Sequence, residues 1–223
     1  MLGQYLYRLI DIEIDLGKRT FKNEQEGAIA RVFFHCIEFI IEVLSQRRVG
    51  ATIIFVHPHQ RDEALKIAYS SWSVRGSLEI ALLQKARLEY SEQASETRNM
   101  AFALNRLKID QALRQRLRSL IDLAAIDGAL LLSPSFDVIG FGMKLTAPKW
   151  EKTIEHGPVV GEKQQVDFSR LGTRHNSALN FVGAIGGAVA FVASSDGPIR
   201  ALVRSTEEKV WYWPDSRVSM FAK

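Results

Sequence analysis

Ala28, Ile29, Val32, Phe33, Cys36, Ile37, Ile40, Ile41 and Leu44 recur at steps of three and four. That period predicts an amphipathic helix over residues 24–47. Arg47 and Arg48 suit the negative end of its dipole, and Gly50 suits its stop. Upstream the period changes. Tyr5, Tyr7 and Leu9 alternate with Gln4 and Arg8, then Ile12, Ile14 and Leu16 with Asp11, Glu13 and Asp15. Alternation over residues 5–16 predicts a strand with one wet face, closed by a turn at Gly17-Lys18. Residues 51–56, Ala-Thr-Ile-Ile-Phe-Val, form a short unbroken apolar run ended by His57-Pro58-His59, as a buried central strand does. The two histidines read as a polar strand-to-helix turn.

Residues 60–120 carry charge on one face and Leu or Ile on the other, which predicts helix almost throughout. After Asp127 the pattern returns to strands. Residues 129–132 and 138–145 are apolar runs around Ser133-Pro134-Ser135-Phe136, which predicts a hairpin. Residues 148–170 are polar and read as a loop. A helix opens between Leu171 and Asn180, with Gly172 and Thr173 at its start. Residues 188–193 and 199–204 are paired strands around Ser194-Ser195-Asp196-Gly197-Pro198. The aromatic segment 209–214 reads as packing.

The expected fold is α/β, a mixed central sheet flanked by helices, with a long helical insertion over residues 60–120. Three segments are expected: an N-terminal strand and helix over 1–47, a nucleotide-binding domain over 48–210, and a C-terminal tail over 211–223. The chain has 223 residues, 47% hydrophobic, enough for a sizeable core. The net charge of +4 is mild and spread out, so nucleic acid is not an expected partner. Cys36 is the only cysteine and lies in the apolar helical pattern, which fits a buried, inert thiol in a reducing compartment. The apolar run 178–193 contains Asn180 and three glycines and falls short of a membrane span. A cytoplasmic location is the expectation.

Two short stretches carry the candidate chemistry. Gly172-Thr173-Arg174-His175-Asn176-Ser177 sets hydroxyls, a guanidinium and an imidazole at the start of a helix. A helix N-terminus presents unpaired N–H groups and a partial positive charge, which suits phosphate. A plain helix cap with Arg174 on the surface accounts for the same residues, and both readings stay open. Asp127 stands between the apolar runs Ala124-Ala125-Ile126 and Gly128-Ala129-Leu130-Leu131-Leu132. It reads either as a strand-entry acid satisfied by backbone amides or as a metal-bound carboxylate that helps deprotonate a hydroxyl. Gly128 and Ala129 have minimal side chains, so a base or ribose could lie against the backbone there.

Asp127-Gly128-Ala129 and Gly172-Thr173-Arg174-His175, in this order and among these strands, resemble the diadenylate cyclase family, the N-terminal domain of the DNA-integrity scanning protein. That family carries an Asp-Gly-Ala motif and a Gly-Thr-Arg-His-Arg motif. The resemblance covers roughly residues 45–205. Residues 50–56 are similar to its first central strand, and residues 191–199 to its strand, turn and returning strand. Leu145 falls where the family places a hydrophobic residue against adenine.

The resemblance implies ATP binding, with two loaded monomers meeting face to face. Each ribose 3′-hydroxyl then attacks the other's α-phosphate, giving cyclic di-AMP and pyrophosphate with Mg²⁺ or Mn²⁺. By the same resemblance Asp127, Arg174 and His175 are the catalytic set, with Asp127 on the metal. Thr173, Arg174, His175 and Ser177 hold phosphates, and Gly128 and Leu145 line the nucleoside pocket. Two features depart from the family. Its last motif arginine is Asn176 here, and about 70 residues separate the first central strand from Asp127, longer than in standard cyclases. An elongated form of this kind is similar to the related domains proposed as nucleotide sensors, which bind without cyclising.

Overall fold

Ala51–Phe55 has two apolar faces to bury, and the fold buries both. A computed structural model of the chain describes residues 2–10, 14–15, 20–21, 24–69, 100–157, 166–168, 171–195 and 197–216. Among the described residues the helices are α1 (Leu2–Leu9), α2 (Glu24–Arg47), α3 (Arg61–Lys66), α4 (Met100–Ala124) and α5 (Thr173–Ala184). The strands are β1 (Ile14–Asp15), β2 (Thr20–Phe21), β3 (Ala51–Phe55), β4 (Ala68–Tyr69), β5 (Ala129–Leu132), β6 (Val138–Leu145), β7 (Thr153–His156), β8 (Val189–Ala193), β9 (Arg200–Thr206) and β10 (Lys209–Trp213). β1 and β2 form a small antiparallel ribbon. The other eight build one mixed sheet in the order β4-β6-β5-β3-β8-β9-β10-β7. The fold is α/β, as the alternating patterns predict.

β3 lies in mid-sheet, parallel to β5 and antiparallel to β8. Successive side chains of a strand point to opposite faces, so each apolar run serves two cores. Ile53, Phe55, Leu130, Leu132, Val189, Phe191 and Val203 share one core with α1, α2 and α4. Ile54, Val56, Leu131, Ala190, Val192 and Leu202 share the other with α5. Helices thus cover both faces. In the first core Phe33 of α2 meets Phe136 at 5.5 Å between ring centroids, and Phe136 meets Phe55 edge-on at 5.3 Å. The second is closed by Ala178, Leu179, Phe181 and Val182 along one face of α5.

Four expectations are corrected. Residues 2–9 form a helix, not part of a strand: Leu2, Leu6 and Leu9 are buried at steps of four and three, and the apparent alternation of tyrosines is incidental to that face. The stretch 60–120 is not helical throughout. A 3-10 turn, the six residues of α3 and the short β4 occupy residues 58–69, and α4 starts at Met100. The part over 70–99 lies outside the described residues. The polar stretch 148–170 contains β7, an edge strand parallel to β10. The tail expected over 211–223 does not begin at 211: β10 runs on to Trp213, which is buried against Tyr5 of α1, so the aromatic segment 209–214 packs. Among the described residues no helix is long and apolar enough to cross a membrane.

Candidate functional site

Gly50 enters β3, Asp127 stands just before β5, and β8 ends at Ala193, whose register partner is Ala51. These points therefore lie together, at the amino ends of the parallel pair β3 and β5. Open parallel sheets ordinarily bind ligands at the carboxyl ends. The start of α5 meets them there. The result is a cavity of about 630 Å³. Asp127 contributes from the β5 entry, Leu171 to His175 from the start of α5, Ala193 to Ser195 from the end of β8, and Arg200 from the start of β9.

α5 starts on Gly172, an extended N-cap residue with φ −67° and ψ 172° that makes no side-chain cap bond. A serine or aspartate there would satisfy first-turn amides. Gly172 leaves the Thr173 and Arg174 amides without a partner inside the helix, at its positive end. Thr173 stands at this rim, exposed.

Arg174 reaches across to Asp127, with Nη2 3.6 Å from Oδ1. The Asp127 side chain is fully exposed and that of Arg174 half-exposed, so the pair holds neither group firmly. The guanidinium lies against Gly50, where any Cβ would stand 2.6 Å from Nη1. Asp127 is thus a solvent-facing acid at the mouth of the cavity, not a buried one.

His175 is buried. Arg200 Nη1 donates to its Nε2 at 3.1 Å and to Ser194 Oγ at 2.9 Å. A guanidinium only donates, so Nε2 accepts and the ring proton belongs on Nδ1. The Arg200 guanidinium also stands near the phenol of Tyr212. Burial raises that phenol's pKa above its ordinary value, and Arg200 lowers it in part.

The remaining sequence candidates lie elsewhere. Asn176 Nδ2 donates to the carbonyls of Leu171 at 2.7 Å and Gly172 at 3.3 Å, so the amide ties down the loop before α5. Ser177 Oγ donates to the Thr173 carbonyl at 2.6 Å, within its own helix. Neither side chain lines the cavity. Ala129 is buried in the core beneath α5. Leu145 packs beside the same core, pairs with Ala68 and does not line the cavity. Gly128 has φ +108°, and a Cβ there would stand 2.5 Å from the Gly142 carbonyl carbon. Its missing side chain admits the β6 backbone. His57 caps the 3-10 turn, its Nδ1 accepting from the His59 amide at 3.3 Å.

Sequence reasoning missed Arg200 and Ser194. Both stand in stretches read as a turn and the start of its returning strand, and only the pairing of β8 with β9 brings them beneath α5. Among the described residues no group of three or more His, Cys, Asp or Glu could hold a metal ion. Magnesium and manganese need no such group when a substrate's phosphates supply the other oxygens, and a lone exposed carboxylate facing cationic donors fits that arrangement.

No family model matches the chain, and no curated protein matches it.

Proposed function

We propose that the cavity binds a nucleotide through its phosphates, in the manner of a diadenylate cyclase. One observation carries this reading. Asp127 and the Gly172–His175 helix start, far apart in sequence, line the same cavity, together with a second arginine, Arg200. In it the uncapped start of α5, Thr173 and Arg174 receive phosphate oxygens. Asp127 would hold Mg²⁺ or Mn²⁺ together with those oxygens. The ion, when bound, offsets phosphate charge and makes a ribose hydroxyl easier to deprotonate. Asp127 is exposed at the mouth, so a second loaded copy meeting it face to face would bring its own nucleotide within reach. Two ATP then give cyclic di-AMP and two pyrophosphates. Leu145 has no role in this pocket.

A second reading is a sensor that binds the nucleotide without cyclising it. The Asn176 amide favours it, because it is engaged with the Leu171 and Gly172 carbonyls where the family has a phosphate-binding arginine. Purified protein with ATP and Mn²⁺, assayed chromatographically for cyclic di-AMP, separates the two. Product that disappears in Asp127→Asn supports the cyclase. Binding without product leaves the sensor, and absence of any nucleotide binding sinks both.

A further inference from the structure

Arg200 stands in the wall of the cavity that Arg174 and Asp127 also line, half-buried. Its hydrogen-bond partners come from two elements: His175 of α5 and Ser194 after β8. Both are neutral acceptors in these bonds. No carboxylate among the described residues pairs with it. A half-buried guanidinium with no carboxylate partner among the described residues loses hydration that neutral acceptors only partly replace. An anion in the cavity would supply the rest. Ser194 and His175 take the protons of one nitrogen, and an arginine has five N–H donors, so donors remain for an oxyanion. The side chain is already held, so little rotamer freedom is lost when an anion arrives.

We propose that Arg200 is an anion-binding residue of this cavity. It supplies from β9 the second guanidinium that Asn176 does not, and with Arg174 grips the polyphosphate of the nucleotide from two sides. This rests on the nucleotide reading above, and the test separates the two. ATP and adenosine are titrated calorimetrically into the full chain, wild type, Arg200→Gln and Arg200→Lys, with chelator present and thermal melts recorded alongside. Arg200→Gln is expected to lose about tenfold or more in ATP affinity with adenosine binding unchanged. Arg200→Lys keeps the charge but not the fork and is expected to fall between. If Arg200→Gln melts early, the lysine variant carries the test. Wild-type ATP affinity in the folded variants overturns the role of Arg200 and leaves the nucleotide reading standing. If the wild type binds no nucleotide, that reading fails and inorganic pyrophosphate becomes the probe. Binding that Arg200→Gln loses supports the anion site, and no binding, or binding that it keeps, ends it.

Discussion

The guanidinium of Arg174 occupies the space that a side chain at Gly50 would fill: a Cβ there would stand 2.6 Å from Nη1 and 3.0 Å from Cζ. The obstructed group is the far end of a flexible side chain. Gly50→Ala should therefore turn Arg174 away at little cost to the fold, within about 0.5 kcal/mol. Nucleotide affinity should fall several-fold in the same variant. Paired urea and titration curves check this, and a large loss of stability would show that Gly50 serves the fold instead.

Gly128 poses the opposite case. Its φ of +108° disfavours any side chain, and the obstacle to a Cβ is the Gly142 backbone, which cannot swing aside. Gly128→Ala should cost roughly 2–4 kcal/mol. Urea unfolding should show a lower midpoint with the slope unchanged.

Asn176 donates two hydrogen bonds to loop carbonyls. Asn176→Ala should cost about 1 kcal/mol. If the amide only ties down the loop, residual nucleotide affinity should track the loss of stability, with no separate effect of ligand charge. A variant equally stable to urea would contradict the tie.

Burial raises the phenol pKa of Tyr5, Tyr7 and Tyr212 above the ordinary value. A raised folded-state pKa means that the native chain holds protons which the unfolded chain releases. Stability from these groups is fully present below about pH 10 and is lost as pH rises through the folded values. Urea midpoints should fall as pH rises above about 10, and Tyr212→Phe should show a shallower fall. An equal slope in that variant would remove Tyr212 from the account.

β3, β5 and β8 were legible because strands buried on both faces are almost wholly apolar, as Ala51–Phe55 and Val189–Ala193 are, and β6 and β9 because a turn precedes each. β7 was not. Thr153-Ile154-Glu155-His156 is polar because it lies at the sheet edge, and its partner β10 is remote in sequence. α1 failed for another reason: over eight residues, three buried leucines among tyrosines satisfy period two nearly as well as 3.6. That Asp127, Thr173, Arg174 and His175 come to line one cavity agrees with turn and helix-start patterns, which are local. Ser177 and Asn176 bond to backbone carbonyls rather than line the cavity, and a side chain's choice between a ligand and its own backbone has no sequence signature. Arg200 was invisible because a lone arginine at a strand start acquires meaning only from what the sheet sets beside it.

β3 takes β8 as its neighbour, with Ile53 opposite Phe191. During synthesis, then, the middle of the sheet waits for more than half of the chain to emerge. Until β8 arrives, β3 and β5 expose an unpaired apolar edge of the sort that seeds aggregation. No amino-terminal fragment ending before Arg200 can hold the whole cavity. Ligand binding by the growing chain should therefore switch on late and all at once.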